Sequence, residues 1–149
     1  MPTLTVINGA PGSGKSTLAN LLARDHKLTL TLDIDPVRGT LADWTDDPAA
    51  AGMAARDLAL NMSTTHLHAG HNVIIPQCLQ REEFLDRLAS AAQNAGAEFF
   101  EVCLTSSPGE AAARFAARAS SEDQNHRAES RPRPESRPTD CMRNFNGGG

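Results

Sequence analysis

The chain has 149 residues, of which 40% are hydrophobic, with 14 Lys and Arg against 18 Asp and Glu and a formal net charge of −4. That is enough for one domain with a core and too little for two, and its longest apolar runs fall far short of the roughly 20 residues a membrane span needs. Residues 1–120 carry 9 basic and 13 acidic side chains and residues 121–149 carry 5 of each, so no stable nucleic-acid binding by phosphate neutralisation is expected.

In chain order, residues 3–8 (Thr-Leu-Thr-Val-Ile-Asn) form a β-branched apolar run that ends at Gly9 and predicts a buried strand. Residues 16–26 follow as a helix, with Leu18, Leu21 and Leu22 at helical spacing. Residues 28–33 alternate apolar side chains with threonine and predict a second strand, with Asp33 and Asp35 beyond its carboxyl end. Asp35-Pro36 suits a helix start, aspartate as the cap and proline at the first helical position. Residues 49–69 predict a long alanine-rich helix closed by Gly70, and 71–77 a third strand. A helix over 81–95, a fourth strand over 97–104 and a helix over 108–119 complete the series.

Strands that alternate with helices of this length need crossover connections. They imply an α/β fold: three α/β/α layers around a mainly parallel sheet of about four to five strands. Beyond residue 120 the texture changes. Glu-Ser-Arg-Pro occurs at 129–132 and again at 135–138, and only Ala128, Cys141, Met142 and Phe145 are hydrophobic. So polar a segment cannot offset its ordering entropy, and the expected division is an ordered domain over 1–120 and a disordered tail over 121–149. The first residues lack a basic stretch followed by an apolar one, so a cytoplasmic protein is expected. Cys78, Cys103 and Cys141 contain no C-x-x-C pair of the zinc or redox kind.

Gly9-Ala10-Pro11-Gly12-Ser13-Gly14-Lys15-Ser16, followed by Thr17, matches G-x-x-x-x-G-K-[ST] at every fixed position. Glycines let successive N–H groups turn inward around phosphate, Lys15 reaches the β- and γ-phosphates, and Ser16 offers its hydroxyl to Mg²⁺. The strand before the loop and the helix after it are the context this motif requires. A phosphate loop for ATP is therefore expected over Gly9 to Thr17. Transfer of a phosphoryl group to an alcohol also needs a carboxylate to orient or deprotonate the hydroxyl. Asp35, beyond the second strand, is placed for that task, and Gln77 ends the third strand at the same edge.

With Asp35-x-x-Arg38 after the second strand and the Ala-Pro-Gly-Ser-Gly-Lys-Ser loop, the chain resembles the small P-loop kinases of the AAA-type ATP-binding group. It is most similar to polynucleotide 5′-hydroxyl kinases, zeta-toxin-like kinases and antibiotic phosphotransferases, over about residues 3–120. The resemblance implies that Asp35 is the base facing the acceptor hydroxyl, that Arg38 steadies the acceptor, and that Asp33 helps organise Mg²⁺ through water. It also implies a lid helix that brings Arg118, with Arg114 one turn earlier, onto the ATP phosphates. The acceptor pocket is expected to be built from residues 41–62 and the lid.

The chain departs from the pattern in two places. Gln77 stands where an acidic group could assist magnesium, and the Glu-Ser-Arg-Pro tail supplies no fifth strand or last helix, which suggests an altered or truncated carboxyl end. The expected activity is ATP-dependent phosphoryl transfer to a hydroxyl of a small molecule or a nucleic-acid 5′ end. Nucleotide binding without turnover and an ATPase switch are the alternatives, and the N-K-x-D stretch of a guanine-reading switch is missing. Three histidines, His66, His68 and His71, are read as helix-end residues rather than metal ligands, and Trp44 as a core side chain rather than a base-stacking one.

Overall fold

A computed structural model describes residues 1–79, 81–105 and 110. The predicted helix over 108–119, the tail over 121–149 and both lid arginines, Arg114 and Arg118, lie outside the described residues. The elements are β1 (Thr3–Gly9), α1 (Lys15–Ala23), β2 (Leu30–Thr31), α2 (Ile34–Gly39), α3 (Pro48–His68), β3 (Val73–Pro76), α4 (Glu82–Asn94) and β4 (Glu98–Leu104).

All pairings are parallel, in the order β2-β3-β1-β4. Register places Val6 opposite Ile75 on one side and opposite Glu101 on the other. Successive strand residues point to opposite faces, and both faces of β1 and β3 are covered. Leu4, Val6, Val73 and Ile75 join Ala55, Ala59, Leu67, Phe84, Leu88 and Ala92 of α3 and α4 in the larger core. Ile7 and Ile74 meet Ala19 of α1 on the opposite face. The sheet is thus the middle of three layers.

Connectivity follows from these faces. The α1 crossover leads from β1 toward β2 at one edge, whereas the α4 crossover leads from β3 across β1 to β4 at the other. Parallel crossovers are right-handed, so a reversal in direction puts the helices on opposite faces. A crevice opens where the direction reverses, beyond the carboxyl ends of β1 and β3, and ligands of such sheets bind there.

Three local expectations change. The second strand is two residues long instead of spanning 28–33, because Leu28 adopts a left-handed φ of 62°. A turn replaces the strand start: the N–H and hydroxyl of Thr29 both donate to the His26 carbonyl, at 3.3 and 2.9 Å, and His66 Nε2 lies 2.6 Å from the Leu28 carbonyl. The α2 cap is Asp33 rather than Asp35, its carboxylate accepting from the Asp35 N–H at 3.1 Å. On α1 the buried residue is Ala19, while Leu21 is 53% exposed, because a nine-residue helix turns a narrow face to the sheet.

Helix α3 buries Ala51, Ala55, Ala59, Ser63 and Leu67. A four-residue step overshoots one helical turn by about 40°, so this stripe winds through about 160° along the helix. Different partners are needed along its length, and α3 packs on α2, α4, β1 and β3.

Candidate nucleotide and acceptor site

Between β1 and α1 the chain folds into a tight loop. Gly9 closes it: a Cβ there would lie 2.8 Å from Ser13 Oγ and 2.9 Å from the Leu104 carbonyl oxygen at the end of β4. Gly14 opens α1 with φ 93° and ψ 17°, a left-handed conformation with no crowding around it. It brings no side-chain cap and the first turn holds no acidic residue, so the positive end of α1 faces the loop. The Lys15 ammonium arches over the loop and donates to the Ala10 carbonyl at 2.8 Å, and the Ser13 N–H donates to the same oxygen at 3.1 Å. Gly12 and Ser13 are buried, Gly14, Lys15 and Ser16 half-buried, and Ala10, Pro11 and Thr17 exposed. A tight glycine loop, an ammonium and a helix end together fit the phosphates of a nucleotide.

Asp35 sits in the first turn of α2, and Gln77 directly follows β3. The Gln77 carboxamide spans the gap between their strands. Its nitrogen donates to Asp35 Oδ1 at 3.5 Å, its oxygen accepts from the Ile34 N–H at 3.3 Å, and its backbone N–H donates to the Ile7 carbonyl at 3.1 Å. One residue therefore ties the ends of β1, β3 and α2 together. Asn8, buried just before the loop, fixes the next stretch by donating to the Leu79 carbonyl at 3.0 Å and accepting from the N–H groups of Leu79 and Gly9 at 3.1 and 2.9 Å. Neither connection is visible as a motif. Gln77 was legible only as a polar residue at the strand's end.

Arg38, one turn beyond Asp35, is 5% exposed, and its guanidinium lies 4.6 Å from the ring centroid of Trp44. That spacing is a cation–π contact, so Trp44 backs the arginine rather than filling the core. Arg56 of α3 joins this neighbourhood. Burial first, then Arg81 and Arg38, hold its guanidinium below the ordinary arginine range, and Asp35 acts in the opposite direction. Sequence reasoning missed Arg56, although it is the single basic residue between Leu41 and Met62.

For magnesium, the oxygen donors at this edge are the Ser16 hydroxyl and the carboxylates of Asp33 and Asp35, a hard-ligand set suited to that ion alongside phosphate oxygens and water. Among the described residues, no three His, Cys, Asp or Glu side chains group as a metal site. No described helix is long and apolar enough to cross a membrane.

The family model for the AAA domain matches residues 4–133. The chain belongs to that family. Solved structures give this AAA-domain chain the fold of the P-loop kinases. A mutant of the Mycobacterium tuberculosis APS kinase CysC is 26% identical, with a TM-score of 0.55 over 69% of this chain and 75% of that one. Chaetomium thermophilum Kti12 in complex with ADP-AlF3 reaches a TM-score of 0.65 at 17% identity, covering 82% of this chain and 71% of its own. A gluconokinase from Sinorhizobium meliloti reaches 0.53 at 19% identity, covering 84% and 70%. No curated protein matches the chain in sequence.

A cavity of about 680 Å³, lined by Thr3, Thr5, His26, Lys27, His71 and Asn72 among others, lies at the opposite, amino-terminal end of the sheet. It takes no part in the AAA-domain site.

Proposed function

We propose that this AAA-domain chain is an ATP-dependent phosphotransferase with an alcohol as acceptor. One observation carries the reading: Gln77 links the end of β1, which leads into the phosphate loop, to the Asp35 carboxylate. In this reading the loop amides and Lys15 hold the ATP phosphates, and the acceptor hydroxyl enters beside Asp35. Its oxygen bonds to the γ-phosphorus as the bond from that phosphorus to the bridging oxygen breaks. The hydroxyl proton passes to Asp35, and ADP leaves. Ser16 would hold Mg²⁺, with Asp33 helping through water, and the ion would supply charge neutralisation on the phosphates. Arg38, stiffened by Trp44, positions the acceptor, and Arg114 and Arg118 would reach the phosphates from the lid.

The test combines binding and turnover. MgATP at about 100 times its dissociation constant should stabilise the fold by about 2.7 kcal/mol, and Lys15→Ala should abolish that stabilisation. ADP release should depend on an added alcohol, drawn from nucleosides, sugars and oligonucleotides with free 5′ hydroxyls. Asp35→Asn should slow this release by about 10²–10⁴-fold. A cooperative melt that MgATP does not move rejects the reading, as does ADP release that ignores every alcohol.

A further inference from the structure

The phosphotransfer reading places the site where β1 and β3 end, and the hydrogen bonds there show what parts the two strands. In a parallel pair, a bonding residue donates to the residue before its partner and accepts from the residue after it. Ile7 lies opposite Pro76, and its carbonyl accepts from the Gln77 N–H at 3.1 Å. Two residues on, the same pattern would send the Gly9 N–H to the Gln77 carbonyl and the Leu79 N–H to the Gly9 carbonyl. Neither bond is made. Both N–H groups go instead to one atom, Asn8 Oδ1, at 2.9 Å from Gly9 and 3.1 Å from Leu79. The Asn8 side-chain nitrogen donates to the Leu79 carbonyl at 3.0 Å and to Glu101 Oε1 of β4 at 3.5 Å.

A buried carboxamide has thus taken the place of two backbone acceptors. It does so on one side of β1 only, because Gly9 still lies opposite Leu104 of β4. The phosphate loop therefore leaves a strand that is held on its β4 side and released on its β3 side, by the width of one asparagine side chain. The released stretch is 77–79. Its first residue donates to Asp35 and accepts from the Ile34 N–H. Asn8 holds the last residue of that stretch and the first residue of the loop at once. Aspartate has the same shape but no donor for the Leu79 carbonyl, and the single short hydroxyl of serine cannot meet both Leu79 groups.

We propose that Asn8 is a positioning residue for phosphoryl transfer: its carboxamide ends the β1–β3 ladder and sets the gap between the phosphate loop and the Gln77–Asp35 pair. The role in transfer rests on the phosphotransfer reading above, and the setting of the gap rests on the hydrogen bonds at Asn8.

Asn8→Asp tests this with the smallest change. When ionised, the introduced carboxylate accepts from Gly9 and Leu79 but cannot donate to the Leu79 carbonyl, and it stands against Glu101. Burial and Glu101 both favour its neutral form, so it takes up a proton above the ordinary aspartate range and then donates to the Leu79 carbonyl again. Hydrogen exchange at single amides of the full chain is followed in variant and wild type at each pH. At mildly alkaline pH the Leu79 and Ile34 N–H groups should exchange about tenfold faster in the variant, with Leu88 of α4 within about twofold. The ratio should fall toward one on acidification. Asn8→Ser should speed the same two amides at every pH, and it keeps the test sound if Asn8→Asp folds poorly. Acceleration at Leu79 that does not reach Ile34 overturns the proposal, as does equal acceleration at Leu88, the mark of a general loss of stability.

Turnover separates this inference from the reading beneath it. With the alcohol that drives ADP release fastest, Asn8→Asp should lower kcat about tenfold and leave the KM for MgATP within about twofold, the deficit closing as pH falls. Fast exchange at Ile34 with an unchanged kcat removes the positioning role and keeps the kinase. ADP release with no alcohol removes the kinase and the role in transfer, while exchange at Ile34 still decides whether Asn8 sets the gap.

Discussion

The side chain of Asn8 and the backbone of Leu79 form a reciprocal pair, the carboxamide donating at 3.0 Å and accepting at 3.1 Å across 71 residues of sequence. It holds the segment after β3 against the residue that precedes the phosphate loop. Asn8→Ala would leave a buried N–H and a buried carbonyl without partners, at about 1–3 kcal/mol for an unsatisfied group. Urea unfolding of Asn8→Ala should therefore show a loss of about 2–4 kcal/mol with an unchanged slope.

Gln77→Leu removes the bridge to Asp35 and to the Ile34 N–H while keeping similar bulk. Nucleotide affinity should stay within about twofold, and kcat should fall roughly tenfold, since the loop is untouched while the carboxylate loses its orienting partner. Steady-state kinetics with saturating MgATP measure this, and an unchanged kcat would deny Gln77 any positioning role.

The two ends of the loop respond differently to one added methyl group. Gly9→Ala drives a Cβ against the Leu104 carbonyl oxygen at 2.9 Å, so both stability and the MgATP-induced rise in melting temperature should be lost. Gly14→Ala meets nothing within 4 Å and suffers only from its φ of 93°, a cost of about 1–2 kcal/mol. Thermal melts with and without MgATP distinguish the steric case from the conformational one.

Core and surface leucines give a further contrast. Leu88 of α4 is fully buried between Phe84 and Ala92, and Leu88→Ala should cost about 2–5 kcal/mol. Leu21 of α1 is mostly exposed, and Leu21→Ala should stay within about 0.5 kcal/mol. Chemical unfolding of both variants measures the difference.

Much of the architecture was readable from the sequence because two periodicities and one motif are strong in it. Val73, Ile74 and Ile75 form a continuous apolar run, as a strand buried on both faces must. The alanine stretch from Ala49 ends at Gly70, close to the observed end of α3 at His68. The phosphate loop was readable because its glycines carry backbone requirements that few other sequences satisfy. What escaped was set by contacts distant in sequence. Leu28 follows the strand pattern, yet the turn made by Thr29 and His66 removes it from the sheet. Asp33 and Asp35 are chemically alike, and only the path of the backbone decides which one caps α2. The pairing of Arg38 with Trp44 and the half-buried position of Arg56 come from the packing of α2 and α3 and the loop between them, which no local spacing encodes.

The small side chains along α3 have a consequence for redesign. Ala51, Ala55 and Ala59 act as spacers that fix how far α3 stands from its neighbours, much as shims set a gap in a mechanical assembly. Replacing Ala55 with leucine would push α3 outward and carry Arg56 with it, although nothing on the arginine itself had changed. The spacing between α3 and α2, which carries Asp35 and Arg38, is thus adjustable from inside the core.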